Sequence, residues 1–492
     1  MPEIVVTNGS AVSLSKLKPV SIEEFEKTCV DRCSSGKRLS ALLVLPAPKE
    51  RTFLLAAVIA DDPAHSLSLI STALVEGGSY PSLTGRIPQA QAFEREIYED
   101  HGLKPEGHPW LKPLRRHSGS NGSSHPFFPV SGESVHEVAV GPVHAGIIEP
   151  GHFRFQCHGE EIFHLEIQLG YQHRGAEKLL LSSLPARRAV IAESIAGDTV
   201  IGHGTAYCMA VESLSDTVVP KRGNAIRAIA LELERVSNHV GDLGALCNDV
   251  GFLPGAAYFG RLRGEFLNVL MEMSGNRYGR GLLVPGGVRF DIDDAMGTRI
   301  IQRLQKAETD LTDVVHLVFG RNSVVARFER TGVVSLKLAQ ELGLVGVVAR
   351  SSGCDRDVRR DHPFGGYKSE SVPVALRTQG DVMARAVVRW LETKNSLRLL
   401  FTLISNLPSG PLSEREGSPG KNLAVVSMVE GWRGEIVHVA ATDSEGELRV
   451  YKVVDPSFHN WFGLAMVLRG NEISDFPLCN KSFNLSYAGH DL

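Results

Sequence analysis

Between residues 220 and 251 apolar side chains recur at steps of three and four. Ile226, Ile229, Leu233, Val236, Val240, Leu243, Cys247 and Val250 draw one continuous stripe down a helix. Pro220 stands where a first turn tolerates proline, and Gly251 where helices commonly stop. A stripe this long predicts a core helix, and Gly241, Gly244 and Ala245 would let a neighbouring helix approach closely. On the same helix Arg235, His239 and Asp242 are spaced four and three apart and share a face. Charges taken into a core must be paired or neutralised, so this line reads either as a proton or coupling path or, more simply, as a structural ion-pair line.

The pattern elsewhere fills in the rest of the chain. Further helices are predicted over residues 261–275, 295–319 and 381–406, the last ended by Leu407 and Pro408. Between residues 37 and 60 the runs LSALLVLPA and FLLAAVIA, bounded by charged and Pro-containing turns, predict paired strands of a small α/β domain. Alternation of apolar and polar residues predicts strands around residues 141–154 and again from Asn422. Residues 118–133, SGSNGSSHPFFPVSGE, lack periodicity and read as a linker. The fold class is therefore α+β: a small N-terminal α/β domain over residues 1–117, then a large, mainly α-helical domain over residues 134–492 with β hairpins at its ends.

Bulk properties narrow the function classes. A length of 492 residues alone suggests about three domains, but the recognisable segments make two. A net charge of −4 carries no basic excess, so no nucleic-acid partner is indicated. Residues 1–14 contain Glu3 and no basic start, unlike a secretory signal. The longest apolar run, residues 53–60, is far short of the roughly 20 residues that cross a bilayer. With no transmembrane helix, any membrane role is expected to be peripheral. Seven cysteines, mostly isolated, suit free thiols rather than a disulfide framework. Cys29 and Cys33, four apart on a predicted helix, have no second pair beside them.

Candidate chemistry enters through a set of motifs. Gly170-Tyr171-Gln172-His173-Arg174-Gly175-Ala176-Glu177-Lys178 resembles the GYxHRGxEK segment shared by large subunits of membrane-associated nickel–iron hydrogenases of group 4, formate hydrogenlyase and respiratory complex I. Glu94-Arg95-Glu96, Gly102 and Gly107-His108-Pro109 resemble the ERExxDxxG and GHP signature of the small complex I subunit, a docking module without a cofactor. Glu99-Asp100-His101 departs from its usual run. Gly141-Pro142-Val143-His144 and the segment from Glu149 to Arg154, EPGHFR, resemble hydrogenlyase segments. In complex I that loop carries a histidine at the quinone head-group, which makes His144 and His152 candidates alongside Glu149; the alternative is that both histidines bind backbone at a turn. Arg350, Asp357 and Arg359 sit in a stretch resembling the family's RxSGxxxDxRxxxP(F/Y) loop, as active-site cavity residues, as a salt-bridged clasp or as a contact to the iron–sulfur partner. Residues 430–435, EGWRGE, and 452–460, KVVDPSFHN, match two further family segments.

The resemblance also marks what is replaced. Where the hydrogenases read RxCGxCxxxH, this chain has Ala196, Thr199 and then His203. Where they end in DPCxxC, counting from Asp475 gives Ser486 and Gly489. Nickel in such a site is held by soft thiolates. Alanine and glycine offer no ligand, and a serine or threonine hydroxyl stays protonated near neutral pH. A NiFe centre is not expected, and no cofactor is expected in this chain itself. The quinone-site tyrosine of complex I is also missing, since no tyrosine lies between Tyr171 and Tyr207. The resemblance implies a 4Fe-4S cluster in an iron–sulfur small subunit, membrane antiporter-like subunits as partners, and a peripheral place on the cytoplasmic face of the cell membrane. Two functions stay open: an oxidoreductase subunit passing electrons to quinone or another acceptor, and a catalytically silent scaffold or coupling subunit.

Overall fold

A computed structural model describes residues 3–47, 51–115, 125–144 and 148–492. Of the predicted linker, residues 118–124 lie outside the described residues, and 125–132 form neither helix nor strand.

The two predicted strands are β3 (Arg38–Pro46) and β4 (Thr52–Asp61), inside an antiparallel sheet of order β1-β5-β4-β3 with β1 (Ile4–Val6) and β5 (Ser66–Val75). The strand β2 (Val12–Ser13) pairs instead with the last sheet of the chain. Helix α1 (Ile22–Ser34), capped by Ser21, buries Phe25 and Cys29 against the sheet. The short strands β6 (Ser79–Pro81) and β7 (Lys104–Glu106) pair in parallel around α2 (Gln91–His101). On α2 the signature carboxylates are structural. Glu94 accepts from the Ser82 and Thr84 hydroxyls and from two backbone N–H groups, and Glu96 pairs with Arg115 and Lys452.

The strands β8 (Val135–Val140), β9 (His152–His158) and β10 (Glu161–Gln168) form an antiparallel sheet that opens the larger unit. Helices α3 (Ala176–Ser182), α4 (Pro185–Ala192) and α5 (Val200–Leu214) lead to α6 (Lys221–Asp249), the helix that the apolar stripe predicts. It is buried over nearly all its length between α7 (Leu253–Ser274) and α13 (Val382–Ser405). A Cβ on Gly244 would lie 2.9 Å from that of Phe259, so the glycine lets α7 approach. The helix α7 starts eight residues before the predicted start, entered through Pro254 in its first turn. A short hairpin, β11 (Leu283–Val284) and β12 (Gly287–Val288), precedes α8 (Asp294–Phe319), α9 (Asn322–Phe328) and α10 (Leu336–Glu341). The Arg- and Asp-rich stretch after residue 349 is less of a loop than its sequence reads. It contains the end of α11 (Gly346–Ser351) and the single turn α12 (Val358–Asp361), which Asp357 caps.

The last sheet has the order β15-β14-β13-β2, with β13 (Leu423–Glu430), β14 (Glu435–Thr442) and β15 (Leu448–Val454). Helices α14 (Pro456–Val467), α15 (Phe476–Phe483) and α16 (Tyr487–Asp491) follow and return to the GYxHRG segment. The Arg174 N–H donates to the Leu492 carbonyl, and Gly170 and Gln172 donate to the Asp491 carboxylate. Apolar side chains of the N-terminal sheet, α6 and the last sheet belong to one continuous core. Polar contacts join the same parts. Arg38 bridges Asp62 and Glu435, and the Asn8 side chain bonds the Met428 backbone. The seven cysteines are free, and Cys208 and Cys479, the two nearest the degenerate metal segments, are buried with their thiols pushed well up by burial.

Candidate functional site

The four replaced thiolate positions converge on one place. Residues 196–199 form the turn that enters α5, with Thr199 N–H donating to the Ala196 carbonyl. The helix has no side-chain cap of its own. Glu234 from α6 supplies one, accepting from Ile201 N–H at 2.6 Å and Gly202 N–H at 3.1 Å. At the other end of the chain, Ser486 caps α16 by accepting from Gly489 N–H at 2.9 Å, and its own N–H donates to the Ser457 hydroxyl.

Between these two turns sits the β13–β14 corner. The Trp432 indole N–H donates to the Asp198 carbonyl (3.0 Å) and the Thr199 hydroxyl (3.1 Å). The Arg433 guanidinium lies over the indole ring, 3.9 Å from its centre, and grips the Asp198 carboxylate with two bonds of 2.6 and 2.8 Å. Its remaining donors reach Thr199 Oγ1 and the Asn484 carbonyl. Burial alone would raise Asp198, but Arg433 beside it holds its carboxyl below the usual range. Asp198, Arg433 and Asn484 wall a cavity of about 930 Å³, with Trp432 and Thr199 behind them, and His144, Glu149, Tyr278, Lys481, Ser486 and Tyr487 also contribute. Burial pushes the Glu149 carboxyl up, against the pull of Arg433, and pushes the Tyr487 phenol up to about 12.

This wall does not fit a thiolate-held metal. Ala196 has no donor atom. Thr199 Oγ1 is engaged by Trp432 and Arg433. A side chain on Gly489 would meet the Asp455 carboxyl carbon at 2.5 Å. A guanidinium stands against the remaining oxygens, where a cation would have to compete with it. Among the described residues, no group of three or more His, Cys, Asp or Glu side chains could hold a metal ion.

The other sequence candidates divide. His144 lines the cavity while its Nε2 bonds the Gly151 carbonyl at 2.9 Å, and His152 Nδ1 bonds the Gly141 carbonyl at 3.0 Å. Both histidines therefore bind backbone at the turn, and His144 also faces the cavity. His173 is taken up by the chain end, bonding the Asp491 carbonyl at 2.7 Å. His203 points inward, to Asp455 and His438. Arg350, Asp357 and Arg359 do not line the cavity. They belong to a buried ion lattice, with Arg350 on Glu392 (2.8 Å) and Glu430 (2.7 Å), and Arg359 on Asp357 (2.6 Å) and Glu232 (3.0 Å). The line on α6 joins neighbouring pairs: His239 meets Glu392 at 2.9 Å, and Asp242 meets Arg389 at 2.6 Å. Sequence reasoning missed Asp198, Arg433, Lys481 and the two cavity tyrosines. The tyrosines arrive from α16 and from the segment after α7, far from the position expected of a quinone-site tyrosine.

Glu234 carries a pH signature. Burial pushes its carboxyl up to about 8, against two backbone donors that favour the charge. The folded state then binds a proton that the unfolded chain releases at ordinary carboxylate pH, so this group withdraws stability as pH rises toward about 8. Urea denaturation of Glu234→Gln across that window should give a flatter stability profile than the wild type. An unchanged slope would contradict the assignment.

Comparison with known proteins places these features. The chain matches the family models described as respiratory-chain NADH dehydrogenase, 30 Kd subunit, over residues 27–129, and 49 Kd subunit, over residues 249–421. It is 32% identical over 438 residues to formate hydrogenlyase subunit 5 of Escherichia coli (strain K12), covering 84% of this chain and 77% of the relative. Hydrogenase-4 component G of the same organism is 30% identical, covering 87% and 79%. The carbon monoxide-induced hydrogenase of Rhodospirillum rubrum is 32% identical over 352 residues, covering 71% and 98%. Among solved structures, a chain of the membrane-bound sulfane sulfur reductase, an archaeal respiratory membrane complex, superposes with a TM-score of 0.69 at 24% identity. That match covers 74% of this chain and all of the other, and shows a shared fold.

Proposed function

Since the chain belongs to the family of formate hydrogenlyase subunit 5 and hydrogenase-4 component G, we propose that its cavity serves electron transfer to a small organic acceptor such as a quinone, without a NiFe centre. One observation carries this reading: a cavity of about 930 Å³ opens between the turn over residues 196–199 and the turn of Ser486, lined by Ser486 itself and by the Asp198–Arg433 pair beside the first turn. Its volume suits a small molecule. Its wall combines apolar side chains, Ile148, Phe153 and Phe476, with a donor on Lys481 that a carbonyl oxygen could accept from.

In this reading the electrons come from a 4Fe-4S cluster in an iron–sulfur small subunit. Antiporter-like subunits hold the assembly to the cytoplasmic face of the membrane. None of the described helices is long and apolar enough to cross a membrane, so this chain's own attachment would be peripheral. A second reading has its own support: Asp198 and Arg433 satisfy each other, so this part of the polar wall needs no ligand, as in a silent scaffold or coupling subunit.

Nickel, iron and labile sulfide measured in the complex purified with its partners test this directly, followed by titration with decylubiquinone. Iron and sulfide without nickel, together with quinone reduction, are expected. Stoichiometric nickel with hydrogen evolution would overturn the proposal, and an assembly that neither binds nor reduces the quinone is the silent one.

A further inference from the structure

Behind the cavity wall runs a row of four buried side chains. The Asp455 carboxylate occupies the space that a side chain on Gly489 would take, with carboxyl atoms 2.5 to 2.9 Å from that ideal Cβ. His203 Nε2 lies 3.0 Å from Asp455 Oδ2, His203 Nδ1 3.1 Å from His438 Nε2, and His438 Nδ1 2.7 Å from the Tyr451 hydroxyl. None of the four is more than 3% exposed. The elements that bring them together are the last sheet and α5: His438 on β14, Tyr451 on β15, Asp455 at the cap of α14 and His203 on α5.

This row differs from the ion lattice around Arg350. A guanidinium keeps its protons at every accessible pH and blocks transfer along a chain of carboxylates. An imidazole accepts on one nitrogen while donating from the other, so two in series between a phenol and a carboxylate form an unbroken path. Burial, reinforced by His203, keeps His438 well below the usual imidazole range, and hence neutral. Burial would raise Asp455, but the bond from His203 and the charge of Arg433 hold it below the usual carboxylate range. With one proton on each imidazole and Asp455 ionised, a single orientation serves all three bonds. The Tyr451 O–H donates to His438 Nδ1, His438 Nε2–H to His203 Nδ1, and His203 Nε2–H to Asp455.

We propose that Tyr451, His438, His203 and Asp455 are a proton relay that serves the acceptor cavity, an inference that rests on the acceptor reading above. A proton arriving at the Tyr451 oxygen displaces that hydroxyl's own proton to His438 Nδ1. The His438 Nε2 proton passes to His203 Nδ1, and the His203 Nε2 proton to Asp455 Oδ2. One proton enters, one is delivered, and no heavy atom has to move. The outer end has a source. Residues 449–452 of β15, Tyr451 among them, line a separate cleft of about 440 Å³ with Glu96, Asp100, His101 and Glu177. The ionisable groups acting on Tyr451 are Tyr207, Cys208 and Glu177; Arg433 and His203 act on Asp455, which in turn acts on Asp198. At the inner end the buried carboxylate lies against Gly489, in the turn capped by Ser486, a cavity residue, and beside the charge of Arg433, another. Quinone reduced by two electrons takes up two protons; one passage along this row supplies one of them without opening the cavity to water, and the two imidazoles must turn to restore their tautomers before a second can pass.

Tyr451→Phe and His438→Gln, made in the complex with its iron–sulfur partner, test the relay. Decylubiquinone affinity is measured by equilibrium titration. Proton uptake is then followed by stopped flow with an indicator dye, after mixing dithionite-reduced complex with the quinone. Both variants should bind the quinone within about twofold of wild type, while proton uptake slows about tenfold or more. Unchanged uptake in either variant overturns the relay and leaves the acceptor site standing. A wild-type complex that binds no quinone removes the site and the relay together. Failure of both variants to assemble assigns the row to the fold and overturns the relay.

Discussion

Replacing Arg350 by methionine is expected to cost about 3–5 kcal/mol and, in most expression conditions, the folded chain itself. The guanidinium is 1% exposed and stands between Glu392 at 2.8 Å and Glu430 at 2.7 Å, with Asp357 at 3.9 Å. Removing it leaves three buried carboxylates facing one another with only Arg235, His239 and Arg359 to neutralise them. Glu430 already shows the strain: burial pushes its carboxyl up to about 7 despite Arg350 beside it. Denaturant midpoints of the variant and of the double variant Arg350→Met, Glu392→Leu measure the effect. Partial recovery in the double variant is the expected sign that the uncompensated charge, rather than lost packing, does the damage. A single variant as stable as wild type would show that the lattice is dispensable.

The second large effect concerns Gly489. Putting back all four cysteines, Ala196→Cys, Thr199→Cys, Ser486→Cys and Gly489→Cys, should neither restore stoichiometric nickel nor leave the fold intact. A Cβ at 489 falls 2.5 Å from the Asp455 carboxyl carbon, which is fixed by His203 and by Ser457 N–H. Overpacking and the loss of a bond to a buried charge together cost about 2–4 kcal/mol. Serine at 486 caps α16, so the change there forfeits the cap as well. Comparing the quadruple variant with the triple variant that keeps Gly489 isolates the collision. Equal melting temperatures, or nickel at one equivalent per chain, would refute this account.

The elements that sequence made legible are those whose determinants are local. The stripe on α6 fixed that helix to within a residue or two at each end, and the runs around residues 37–60 lie on β3 and β4. The family segments pointed to the cavity by marking Ser486, which lines it, and positions 196 and 199, which flank the lining residues Gly197 and Asp198. What remained hidden depends on tertiary geometry. The EGWRGE segment reads locally as a hairpin, and nothing near Arg433 says that its guanidinium grips Asp198, 235 positions earlier. The same holds for Asp455, which sits inside a family segment but gains its role from His203, 252 positions away. Arg350, Asp357 and Arg359 read in sequence equally as cavity residues or as a salt-bridged clasp, and their local pattern does not say which. Only the neighbouring elements α6, α13 and β13 turn them into a buried lattice.

The strand β2 and Asn8 bear on how the chain reaches this state during synthesis. Asn8 is made 420 residues before its backbone partner Met428. The strand β2 must stay unpaired until β13 has been made, while the rest of the N-terminal unit can already close on itself. Pairing across so long a separation is slow, and an edge held open that long is a site for mispairing with other chains. The tail of a newly made molecule would be the natural client of a chaperone or of whichever partner docks first.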